Sequence, residues 1–155
     1  MVDVLYEDNH IIVVIKPQNI PSQSDESGDL DMLTMIKQYI KEKYNKPGNA
    51  YVGLVHRLDR PTGGIMVFAK TSKSAKRLCE QIKTKDFQKK YLCVVCGSPK
   101  LKNSTLIDYL KKDEKTNIVK IVPQTEVGAK KAELDYNIVD IYENKYSLVE
   151  VLLKT

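Results

Sequence analysis

Between two short apolar runs, residues 51–55 and 65–69, the chain places His56-Arg57-Leu58-Asp59-Arg60-Pro61-Thr62-Gly63-Gly64. Proline and two glycines exclude a helix there, and the β-branched and aromatic residues on either side favour strands, so the segment reads as a loop joining two strands. His56, Arg57, Asp59 and Arg60 put four ionisable groups within five residues. Beside a hydrophobic core, such groups must pair with one another or perform chemistry. A solvated or salt-bridged turn is the alternative that charge alone leaves open.

The rest of the chain offers a scaffold for that loop. Residues 2–6 and 11–16 are strand-like runs around the polar turn Glu7-Asp8-Asn9-His10, and Pro17 closes the second. From Asp29, apolar residues at Leu33, Ile36, Ile40 and Tyr44 predict an amphipathic helix ended by Pro47-Gly48. Its Met32 and Met35 are core filler, and Lys37, Lys41 and Lys43 a solvated face. Thr71 or Ser72 can cap a second helix, with Ala75, Leu78, Cys79 and Ile82 on one side and Lys73, Lys76, Arg77 and Lys83 on the other. The run 89–97 is apolar on both faces and predicts a central strand. A hairpin over 106–122 and two strands over 132–138 and 146–154 complete the pattern. Repeats, low-complexity tracts and linkers do not appear.

Length and charge narrow the class. A chain of 155 residues is the size of one domain and can bury roughly two-thirds of its unfolded surface. No stretch approaches a transmembrane helix, and the acidic N-terminus does not resemble a signal peptide, so a cytoplasmic protein without a membrane partner is expected. Three cysteines suit free thiols. Cys93 and Cys96, three apart on a strand, point to opposite faces, and without a second pair they read as packing residues rather than metal ligands. His10 likewise reads as an exposed turn residue. The net charge is +5, but residues 51–131 alone carry eighteen bases and seven acids, against five bases and eight acids in 1–50 and two bases and five acids in 132–155. A basic centre of that size suits a polyanionic partner such as RNA.

Several ordered motifs then resemble one family. His56-Arg57-Leu58-Asp59 with Thr62-x-Gly64, a strand ending in Ala69-Lys70-Thr71, and Lys89-Lys90-Tyr91-Leu92 are similar to the catalytic core of RluA-type pseudouridine synthases, which isomerise uridine in RNA. The likeness runs from Leu5-Tyr6-Glu7-Asp8 and Val14-Ile15-Lys16-Pro17 to Leu148-Val149-Glu150-Val151. One departure is Gly63, where the family usually has serine; glycine removes a hydroxyl from the loop.

The resemblance implies an α+β domain with a mixed, largely antiparallel sheet flanked by helices, spanning 1–155 without an S4-like domain. It implies Asp59 as the catalytic carboxylate, acting as a nucleophile or as a base for a ribose proton, and Tyr91 as the active-site tyrosine beneath a flipped uracil. Arg57 would fill the space the base vacates. His56 would shape the loop by hydrogen bonding, and Arg60 and Lys70 would meet RNA at the rim, with Lys73, Lys76 and Arg77 on phosphates along the second helix. Ribosomal or transfer RNA is the implied partner, with no cofactor and no metal, and the complete protein is expected to be a monomer. The family continues into a glycine-arginine and His-Gln-Ile-Arg segment that supplies a cation for the carboxylate; this chain is expected to stop short of it and to be inactive alone. A basic RNA-binding module without chemistry is the rival reading. A glycosidase-like hydrolase is a weaker one, because no second carboxylate partners Asp59 in the sequence.

Overall fold

The computed structural model describes residues 2–45 and 47–155. The chain divides into two compact units, residues 1–84 and 85–155. The expected α+β class holds, with two helices, but in place of one mixed sheet the strands form two, and every ladder in both is antiparallel.

In the first unit, β1 (Asp3–Glu7), β2 (Ile11–Lys16), β3 (Gly53–Leu54) and β4 (Gly64–Ala69) form a sheet in the order β1-β2-β4-β3. Along β2 the alternation of a strand puts Ile12, Val14 and Lys16 on one face, and all three are fully buried. Met66, Val67, Phe68 and Ala69 make β4 buried on both faces, as befits a strand paired on both sides. Helix α1 (Met32–Lys43) begins where Asp31 accepts from the Thr34 amide at 3.1 Å, and it turns Met32, Ile36 and Ile40 inward. It is shorter than the periodicity suggests, since Tyr44 already leaves helical geometry as its cap. Helix α2 (Ser72–Lys83) opens on a reciprocal cap between Thr71 and Ser74, confirming Thr71 as its start.

Glu7 does not belong to the exposed turn. It ends β1 with its side chain only 5 % exposed, accepting from Lys70 at 2.6 Å, Lys43 at 2.7 Å, Tyr44 at 2.8 Å and Tyr39 at 3.0 Å. This acceptor fastens β1 to α1 and to the end of β4. Burial pushes its carboxyl up, but the four donors outweigh burial and bring it down to about 2.

The second unit is a sheet of β5 (Lys89–Cys96), β6 (Asn103–Lys112), β7 (Val119–Ile121), β8 (Lys130–Tyr142) and β9 (Tyr146–Leu153), in the order β5-β9-β8-β6-β7. The 106–122 hairpin is present as β6 and β7, and the two later strands as β8 and β9. The reading of β5 as central fails: it pairs with β9 alone, at the sheet edge, with Leu92 66 % and Val94 68 % exposed. Apolar residues on both faces signal two buried faces, yet here both flank an edge. Cys93 and Cys96 are exposed as well, so neither is the packing residue expected.

Candidate active site

The loop between β3 and β4 is held from beneath by groups the sequence reading did not pick out. Leu58 is its buried anchor, while Arg57, Asp59 and Arg60 on either side of it are exposed. The Ser22 hydroxyl, itself buried, donates to the Leu58 carbonyl at 2.6 Å and accepts from the Leu58 amide at 3.1 Å. One side chain thus satisfies both backbone groups of the residue before Asp59. Behind Asp59, its carbonyl accepts from the Thr62 amide at 3.0 Å, closing a turn.

Lys16 secures the other side. Its ammonium donates to the carbonyls of Ile20 at 2.6 Å, Pro17 at 3.0 Å and Arg60 at 3.1 Å, and the Asn19 amide reaches the Arg60 carbonyl at 2.7 Å. All three ammonium donors therefore end on neutral oxygens. Burial draws the Lys16 ammonium below its ordinary range, and the negative charge of Asp59 opposes that shift. The buried cation and the exposed carboxylate thus act on one another across the loop. A side chain at Gly63 would put its Cβ 3.1 Å from Gln18 Cγ and 3.4 Å from the Lys16 carbonyl, so glycine here lets the loop lie close against the strand end.

His56 behaves as a structural group. Its Nε2 accepts from the Val67 amide at 3.1 Å, which leaves the ring proton on Nδ1, and burial lowers its pKa, favouring the neutral ring.

The expected RNA-facing bases fall into two groups. Arg60 is held by Asp25 at 3.7 Å, by Asp29 and by the Ser27 hydroxyl at 3.0 Å. Lys70 is drawn inside, 9 % exposed, onto Glu7, the Asp8 carbonyl at 2.6 Å and the Tyr44 ring 4.8 Å away, and so does not stand at a rim. Burial lowers the Lys70 pKa, but its hydrogen bonds to Glu7 and Tyr44 carry it above the ordinary value. Arg57, Lys73, Lys76 and Arg77 are exposed and, among the described residues, form no ion pair. Tyr91 lies in the second unit, half-buried on β5 and in register with Val151.

This loop also sits in a matching sequence context. Residues 10–155 match the family described as RNA pseudouridylate synthase. The chain belongs to that family. It is 32 % identical over 146 residues to a tRNA pseudouridine synthase C of Haemophilus influenzae, covering 94 % of this chain and 58 % of that protein. It is 34 % identical over 124 residues to a ribosomal large subunit pseudouridine synthase C of Buchnera aphidicola subsp. Baizongia pistaciae, covering 78 % of this chain and 38 % of the relative. The chain therefore spans between about two-fifths and three-fifths of these relatives. The fold agrees: the solved structure of human RNA pseudouridylate synthase domain containing 4 superposes with a TM-score of 0.81 over 99 % of this chain and 59 % of that one, at 21 % identity. Among the described residues of this synthase-family chain, no group of three His, Cys, Asp or Glu is placed to hold a metal ion, and no helix is long and apolar enough to cross a membrane.

Proposed function

We propose that this chain carries the catalytic loop of an RNA uridine isomerase acting on ribosomal or transfer RNA, with Asp59 as its reacting carboxylate. The observation that supports it is the cradle: a buried ammonium on one flank and a buried hydroxyl on the other fix the backbone around an exposed carboxylate. A reacting group gains most when its supports cost no reorganisation at the moment of reaction.

The isomerisation breaks the bond between uracil N1 and ribose C1′, turns the base, and joins C1′ to C5. N1 gains a proton and C5 loses one, so the reaction is balanced without an oxidant or a co-substrate. Asp59 serves either as a nucleophile, giving a covalent intermediate, or as a base toward a ribose proton. The uridine must leave its stack, at a cost of a few kcal/mol. Arg57, exposed and without an ion pair among the described residues, is suited to fill the gap with its planar guanidinium. Tyr91 is the residue assigned to stack on the flipped uracil.

Tritium release from RNA labelled at uridine C5, with ribosomal and transfer RNA transcripts in parallel, tests this reading. Made in a version of the protein that carries the family's glycine-arginine and His-Gln-Ile-Arg segment, Asp59→Asn keeps the size but offers neither nucleophile nor base, and release should fall by about a hundredfold or more relative to that parent while RNA affinity persists. Release within about tenfold of the parent removes Asp59 from the chemistry and favours a binding module.

A further inference from the structure

Apart from the Asp59 loop, the first unit has a cleft of about 340 Å³ between the β1–β2 turn and the outer side of α2. It is at the small end of volumes that hold organic ligands. Ile11 and Leu78 give it an apolar lining, His10 lines it from the turn, and Lys73, Arg77 and Gln81 follow one another at successive turns of α2. The cleft is preformed, because the His10 carbonyl accepts from both the Ser74 hydroxyl and the Lys70 amide at 2.7 Å, tying turn to helix. Asp8, the acid of that turn, is occupied by the amides of His10 and Ile11, each at 2.7 Å, and by the Tyr6 hydroxyl at 3.2 Å. Lys73 and Arg77 are exposed and, unlike Arg60 and Lys70, have no carboxylate partner among the described residues.

We propose that this cleft is a nucleotide subsite, gripping one unpaired nucleotide of the RNA other than the uridine being isomerised. The base or ribose rests on Ile11, Leu78 and the His10 ring, and the phosphate lies on Lys73 and Arg77. The inference rests on the RNA reading above and extends it to a second point of attachment. A bare anion would use the two cations and leave the apolar lining wet, whereas a nucleotide covers both.

Residue-resolved NMR of the 155-residue chain, titrated separately with uridine 5′-monophosphate and inorganic phosphate, tests it. The monophosphate should move the amides of Ile11, Ser74 and Leu78 saturably, with inorganic phosphate at least about tenfold weaker. Lys73→Gln/Arg77→Gln should abolish those shifts, and should lower the slope of log affinity for single-stranded RNA against log salt by about 0.7, the contribution of the one phosphate no longer neutralised. Unmoved amides, or equal effects of phosphate and nucleotide, overturn the subsite, as does an unchanged salt slope. Isomerisation lost in Asp59→Asn with the cleft silent removes the subsite and leaves the function standing. Isomerisation retained in Asp59→Asn with the cleft responding removes the assigned catalytic role and keeps the subsite.

Discussion

In residues 1–84, Ile12, Val14, Met32, Ile36, Ile40, Met66 and Phe68 are each 1 % exposed or less, whereas in residues 85–155 only Ile138 and Val149 among the described apolar side chains are buried. The second unit has no lack of apolar residues: Leu92, Val94, Ile107, Ile121 and Val139 are all more than half exposed. In the first unit α2 packs on β3 and β4 and α1 buries Met32, Ile36 and Ile40, while the second unit contains strands alone. A closed core can also enclose polar groups at known positions. Lys16, Glu7, Ser22 and Asp31 are sealed in the first unit with full sets of hydrogen bonds, and two of them hold the loop that carries Asp59. The open sheet rests chiefly on its backbone ladders, and Tyr91, the residue proposed to stack on uracil, is one of its strand positions.

The contrast should appear first in stability. Phe68→Ala empties a fully buried position and should cost about 3–5 kcal/mol in denaturant unfolding, against no more than about 0.5 kcal/mol for Leu92→Ala on the open strand. Equal costs would mean that β5 is packed as tightly as β4.

A smaller effect concerns Glu7. Its folded value of about 2 lies below the ordinary 4.5, so the unfolded chain takes up the proton first as pH falls. The stabilisation is complete above about pH 4.5 and disappears as pH falls through about 2. It should amount to about 2–3 kcal/mol, and Glu7→Gln should both remove it at neutral pH and flatten the acid limb of the stability profile. An unchanged acid limb would mean that the first unit does not depend on this buried acceptor.

Periodicity made much of this legible. Thr71 and the apolar spacing of 75–82 located α2, and the alternation through 132–138 located β8, because both signals are local. What the sequence concealed depends on partners far along the chain. Ser22 meets Leu58 across 36 residues and Lys16 meets Arg60 across 44, and neither has a local pattern that announces its partner. Lys16 did leave a trace: it continues the buried alternation of Ile12 and Val14, and a lysine in phase with a core face must be either an error of register or a buried cation. Arg60 and Lys70 read as free cations because Asp29 and Glu7, which neutralise them, lie 31 and 63 residues away. β5 misled for a physical reason, since an edge strand with two apolar faces looks the same in sequence as a central one.

The central claim is that the Asp59 loop is as fixed as the core it stands on. Native-state hydrogen exchange at the Leu58 amide, which is held by Ser22, tests it most directly against the amides of Ile12 and Phe68 in the core and those of the exposed edge strand β7. The expected result is exchange of Leu58 within about tenfold of the core amides. Exchange of Leu58 at the rate of the β7 amides would show a loop that the buried lysine and serine do not hold, and would contradict the proposed preorganisation of Asp59.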